Sequence, residues 1–191
     1  MQPESGILEV IAGPMFSGKS EELIRLIRRA QIARQRVQVF SHALDTRYGP
    51  DQVRSHDGGA LAAVPIAGSA DLEGRLDPAA AVIAVDEVQF MDHGIARVAE
   101  RLVARGLRVI LAGLDLDFRG EPFGPMGELM ARADVIHKLE AVCVVCGRPA
   151  QRTQRLVEGR PAPYHAPVIL VGAQEAYEAR CRVHHEVPGR A

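Results

Sequence analysis

Gly13-Pro14-Met15-Phe16-Ser17-Gly18-Lys19-Ser20 is the stretch whose reading decides the fold. The apolar run before it, Ile7-Leu8-Glu9-Val10-Ile11-Ala12, reads as a buried strand. After it, Glu21 to Arg29 carries apolar residues at helical spacing. Glycine, four residues, then Gly-Lys-Ser between a strand and a helix is the context of a phosphate-binding loop. The two glycines let the backbone curl so that successive N–H groups face phosphate oxygens. The helix starting near Lys19 adds the positive end of its dipole. Lys19 is expected to reach the β- and γ-phosphates of a nucleoside triphosphate, and the Ser20 hydroxyl to sit on Mg²⁺.

Working outward, the first helix runs from Lys19 to about Ala33, and its arginines read as a solvated face. Val37 to Phe40 is a short strand, so strand, helix and strand form a βαβ unit and imply a parallel sheet. Ser41 to Gly59 is polar and rich in turn formers and reads as a long loop. In it Asp45 and Arg47 either orient a substrate or pair with each other on the surface, and His42 and His56 read as ordinary loop histidines. An apolar patch over Ala60–Ile66 and a weak helix around Ala70–Leu76 follow.

The next strong element, Ala80 to Val85, is a continuous apolar run ending in Asp86-Glu87. It suits a central parallel strand buried on both faces. Asp86 is the expected second anchor of the Mg²⁺ shell. Glu87 lies at the carboxyl end of that strand, where α/β folds bind ligands. There it either accepts a proton from an attacking hydroxyl or water, or caps the next helix. A helix over His93–Arg105, a strand over Leu107–Ala112, a long loop over Gly113–Gly124, a helix over Pro125–Arg132 and a strand over Val135–Leu139 complete the unit. Four of the five phenylalanines (Phe16, Phe90, Phe118, Phe123) fall in or beside loops at carboxyl ends. They suit stacking on a flat base or closure of the core beneath those loops.

Composition excludes several classes. A net charge of -1 leaves no general electrostatic footprint for nucleic acid, although the tail is locally basic. No apolar run approaches the length of a membrane span, and the start lacks the pattern of a secretory signal. The expected location is cytoplasmic. All three cysteines lie beyond residue 140. Cys143-x-x-Cys146 and Cys181-x-x-His184 are two ligand pairs and point to a closed Cys₃His zinc site, with His185 as the alternative fourth ligand. The division expected is an α/β unit over 1–140 and a zinc-binding unit over 141–191, too small to hold together without metal.

Taken together, several motifs resemble the type II thymidine kinases nearly end to end. They are the phosphate loop, Asp45-Thr46-Arg47-Tyr48, His56-Asp57, Asp86-Glu87-Val88-Gln89-Phe90, Gly113-Leu114-Asp115 through Phe118, Pro122-Phe123-Gly124 and the two zinc pairs. The resemblance implies a P-loop NTPase-like parallel sheet with a C-terminal zinc domain carrying a lasso loop. It implies transfer of the γ-phosphoryl of ATP to the 5′-hydroxyl of thymidine, with deoxyuridine as a second substrate. Glu87 matches the family's general base, and Gln89 joins the nucleotide-binding set. Phe90, Leu114, Phe118, Phe123, Thr153 and Tyr177 match substrate contacts. The lasso, here Ile169-Leu170-Val171-Gly172, reads the base through its backbone. A homotetramer and feedback inhibition by dTTP are implied as well. This sequence departs from the family at Val88, Met91, Gly120-Glu121 and Val171. Two readings of other classes stand beside it: a P-loop ATPase or switch with a zinc docking module, and a zinc-ribbon nucleic-acid binder, which the net charge disfavours.

Overall fold

The computed structural model describes residues 6–44, 52–54, 60–169 and 176–190. The chain begins with β1 (Ile7–Gly13), α1 (Lys19–Ile32) and β2 (Val37–His42). Next come β3 (Gln52–Arg54), β4 (Ala60–Ala62), β5 (Val64–Ile66) and α2 (Ser69–Gly74). Then β6 (Val82–Asp86), α3 (Gly94–Ala104), β7 (Arg108–Leu114), α4 (Met126–Arg132) and β8 (Val135–Lys138) close the first unit. Six of these strands form one sheet in the order β5-β2-β6-β7-β1-β8, and every pairing in it is parallel. The expected parallel sheet flanked by helices is what the chain forms.

Successive side chains of a strand point to opposite faces, and the sheet uses both. One face packs Ile11, Val39, Val82, Ala84, Ile110 and Ala112 against Leu23, Ile24, Leu26, Ile27 and Ala30 of α1. The other packs Val10, Phe40, Ile83, Val85 and Leu111 against Leu72 of α2, Ile95, Val98, Ala99 and Leu102 of α3, and Met126 and Leu129 of α4. Burial on both faces is why the strands read as unbroken apolar runs rather than alternating ones.

Two expectations are corrected. Ser41 and His42 do not open a loop. They extend β2 and are buried, because Ser41 lies opposite Pro65 and Asp86, and His42 opposite Ile66. Within the stretch assigned to loop, Gln52–Arg54 pairs antiparallel with Ala60–Ala62. Asp45, Arg47 and His56 lie outside the described residues.

The C-terminal part is built from short strands. β9 (Ala141–Val142) pairs with β10 (Pro149–Ala150), and β11 (Arg152–Val157) lies between β12 (Arg160–Pro161) and β13 (Ala176–Arg180). Its apolar cluster is Ala141, Cys143, Ala150, Ala179 and Cys181. Three alanines and two cysteines bury too little area to hold a unit together by the hydrophobic effect alone.

Candidate active site

The phosphate loop starts where β1 ends. A Cβ on Gly13 would lie 2.6 Å from the Leu139 carbonyl oxygen and 2.8 Å from Ser17 Oγ, so only glycine fits between the loop and the end of β8. Gly18 has φ 82, a left-handed conformation that frees the N–H groups at the start of α1. Phe16 is also left-handed, at φ 66, and half exposed. Lys19 Nζ donates to the Pro14 carbonyl at 2.7 Å, and Ser17 Oγ donates to the same oxygen at 2.8 Å. Ser20 Oγ donates to Asp86 Oδ2 at 3.1 Å. A hydroxyl and a carboxylate oxygen side by side are the hard donors that suit Mg²⁺, at the mouth of a loop that suits phosphates. Those residues fit the ion together with a nucleotide.

Glu87 follows at the end of β6. Its backbone is left-handed (φ 57, ψ 38), unusual for a residue with a Cβ, and its side chain is buried. Asp86 Oδ1 accepts the Glu87 N–H at 2.9 Å. The next three residues, Val88–Phe90, make a 3₁₀ turn that brings Gln89 back beside Glu87. Gln89 Nε2 donates to Glu87 Oε2, and Gln89 Oε1 accepts the Leu114 N–H at 3.0 Å. Gln89, expected at the nucleotide, is thus buried between the carboxylate and the end of β7. Two glycines make room for it. A Cβ on Gly124 would lie 2.2 Å from the Gln89 carbonyl oxygen, and one on Gly113 2.6 Å from Gln89 Oε1. The residue pattern gives no sign of this role for Gln89, because the two glycines that enclose it lie far along the chain.

The loop from Leu114 to Gly124 folds on itself. Leu116 bridges Pro122, and Asp117 Oδ1 accepts the N–H groups of Arg119 (2.8 Å) and Glu121 (3.1 Å). Phe90 and Phe123 meet edge to face with centroids 5.6 Å apart, and the His42 ring lies 5.9 Å from that of Phe90. Burial lowers the His42 pKa, so its ring is neutral among these aromatics at neutral pH. Phe118 is buried and lies under the Arg155 guanidinium, 5.1 Å from ring centroid to Cζ. The four phenylalanines therefore divide: Phe90 and Phe123 form a partly open aromatic pair, Phe118 is buried beneath Arg155, and Phe16 sits on the phosphate loop.

β11 brings the C-terminal part onto this site. Thr153 Oγ1 accepts the Met15 N–H at 3.0 Å, so a strand of the zinc-side sheet holds the phosphate loop directly. Tyr177 lies across from Arg155 in the β11–β13 register. Ile169 is half exposed, while Leu170, Val171 and Gly172 lie outside the described residues.

Cys143, Cys146, Cys181 and His184 converge with their ligand atoms within 4.8 Å of one another, the set that can hold zinc among the described residues. The first pair sits on a tight turn in which Gly147 N–H donates to the Cys143 carbonyl at 2.8 Å, with Gly147 left-handed at φ 70. The second pair closes through the His184 N–H donating to the Cys181 carbonyl at 3.1 Å. His184 Nδ1 lies 3.3 Å from Cys181 Sγ and 3.6 Å from Cys143 Sγ. Burial works against the Cys143 thiolate, but N–H groups of Cys181, Val145 and Cys146 and the His184 ring outweigh it and lower its pKa to about 5. A thiolate donor at neutral pH is what zinc requires. His185, the alternative ligand, turns away: its Nε2 lies 2.8 Å from the Phe118 carbonyl oxygen.

Among the described residues no helix is long and apolar enough to cross a membrane. The family model for thymidine kinase matches residues 6–185, nearly the whole chain. With that span, the protein belongs to the thymidine kinase family and is a kinase, a phosphotransferase.

Proposed function

We propose that the protein transfers the γ-phosphoryl group of ATP to the 5′-hydroxyl of thymidine, and of deoxyuridine as a second acceptor, giving dTMP and ADP. Family membership supports thymidine as the acceptor. The observation that carries the chemistry is the buried Glu87 carboxylate, held by Gln89 one residue beyond the Asp86–Ser20 pair. In this reading the N–H groups of residues 13–20 and the Lys19 ammonium hold the phosphates. Mg²⁺ on Ser20 and Asp86 would neutralise charge on the β- and γ-phosphates. Glu87 takes the proton of the 5′-hydroxyl as its oxygen bonds to the γ-phosphorus, and ADP leaves. Positioning and charge neutralisation supply most of the acceleration.

Phe90, Leu114, Phe118, Phe123, Thr153 and Tyr177, with the segment from Ile169 to Gly172, are assigned to the nucleoside. The chain divides into a nucleotide unit over 1–140 and a zinc unit over 141–191, working in the cytoplasm as a homotetramer under feedback from dTTP. The deciding experiment is ADP release from Mg-ATP by zinc-replete protein against a panel of nucleosides and a no-acceptor control. Release that depends on thymidine, with deoxyuridine next and purine nucleosides silent, is the expected result. Release indifferent to every nucleoside would replace this reading with an ATPase or switch.

A further inference from the structure

His184 and His185 are chain neighbours with opposite tasks. His184 turns its Nδ1 into the thiol cluster. The His185 ring points the other way, into the Gly113–Gly124 loop, where its Nε2 meets the Phe118 carbonyl at 2.8 Å across 67 positions of sequence. A carbonyl oxygen only accepts, so His185 Nε2 carries the proton and donates. The next residue, Glu186, is held by the Gln154 side chain of β11 through its N–H at 2.8 Å and its carbonyl at 2.9 Å, and Thr153 precedes Gln154 on that strand. Thr153 in turn holds the Met15 N–H of the phosphate loop. The His185–Glu186 segment thus touches the loop bearing Phe118 and Phe123 and the strand docked on the phosphate loop, and His185 is covalently next to a zinc ligand.

The tip of the loop is enclosed from the same side. A Cβ on Gly120 would lie 3.3 Å from Arg190 Nη1, 3.5 Å from Arg152 Nε and 3.6 Å from His185 Cε1. Arg190 also donates to the Arg119 carbonyl at 2.8 Å and pairs with Glu121 at 3.1 Å. These contacts hold the outer edge of the loop. The His185 contact falls on the backbone of Phe118, whose ring is buried under Arg155.

We propose that His185 is a positioning residue for the nucleoside pocket: its Nε2–H fixes the Phe118 backbone against β11, so that the zinc knuckle sets the placement of the aromatic loop. The kinetic consequence rests on the reading of thymidine as acceptor; the structural one does not. The test uses the full zinc-loaded protein and the variants His185→Ala and His185→Gln, the latter keeping an N–H donor. Three quantities are read: zinc per chain, amide hydrogen exchange over residues 114–124, and steady-state kinetics.

For His185→Ala we expect full zinc content and exchange over 114–124 faster by about 2- to 10-fold, the range for one lost hydrogen bond. The KM for thymidine rises by a similar factor, while kcat and the KM for ATP stay within about twofold. His185→Gln restores both. Unchanged exchange in the zinc-loaded alanine variant overturns the proposal, as does failure of glutamine to restore it. If alanine costs the metal, His185→Phe, which keeps a ring and removes the donor, decides the question against His185→Gln. A wild-type protein without thymidine-dependent turnover would sink the acceptor assignment, and the exchange result would still decide the role of His185.

Discussion

Glu87 combines a left-handed backbone, a buried carboxylate and a dedicated amide partner. Backbone strain of that kind is costly and persists only where the surroundings enforce it. Replacing the carboxylate by an isosteric amide tests it: Glu87→Gln should cut phosphoryl transfer by about 10²–10⁴-fold, the usual worth of a general base, and leave Mg-ATP affinity unchanged in a binding titration. Near-normal turnover would remove Glu87 from that role. The support behind Glu87 is open to a separate test. Gly124 is left-handed at φ 51, and a Cβ there would strike the Gln89 carbonyl. Gly124→Ala should therefore cost more than about 1 kcal/mol, a fall in Tm of at least about 2–4 °C. A melting curve identical to wild type would show that the site relaxes freely. The placement of Lys19 and Ser20 at the start of α1 and of Asp86 and Glu87 at the end of β6 was legible in the sequence because motif and strand end fix it locally. Gln89 was not, because its task depends on meeting the Leu114 N–H at the end of β7, 25 residues further along the chain.

Among the elements, α2 and α3 share a fastening. Asp92 accepts the Ser69 N–H at 2.8 Å, the Ser69 hydroxyl at 2.7 Å and the Gly94 N–H at 2.8 Å, so one carboxylate holds the starts of both helices. The Ser69 N–H is the largest influence holding its pKa below the ordinary 3.8, with burial opposing. A carboxylate lowered on folding adds stability that is complete above its unfolded pKa and is lost as pH falls through the folded value. Asp92→Asn should therefore lower Tm at neutral pH and flatten its decline below about pH 4. Parallel acid limbs in the two proteins would count against this. The helices themselves were legible from their 3.6-residue periodicity, and their observed ends fall within a residue or two of expectation. Ser41 and His42 were misread as loop because polar residues at a strand end look like a turn until their neighbours in the sheet are known. The β3–β4 pair was equally hidden, since three-residue strands carry no period.

For the molecule as a whole, two hydrophobic clusters fill the α/β unit, whereas the C-terminal part has a cluster of alanines and cysteines. Zinc is the expected source of the missing folding free energy there. Stripping it with a zinc-selective chelator should expose residues beyond 140 to proteolysis while 7–139 remains resistant. Cleavage spreading through both parts at the same rate would contradict the division. The two ligand pairs were legible because their spacing is local. The docking of Thr153 on Met15 and of His185 on Phe118 was not, since neither leaves a trace in spacing.

The sheet order has a consequence for synthesis. β1 lies between β7 and β8, with Ile7 opposite Arg108 and Glu9 opposite Val135. β1 leaves the ribosome before either strand it pairs with and waits for the last two strands of the unit before it has neighbours on both sides. At about 5–20 residues per second, the strand that carries the phosphate loop spends several seconds as an apolar segment without its partners. A nascent chain stalled before residue 135 has β7 but lacks β8, and so presents the unpaired edge of β1 from Glu9 to Ala12 to chaperones.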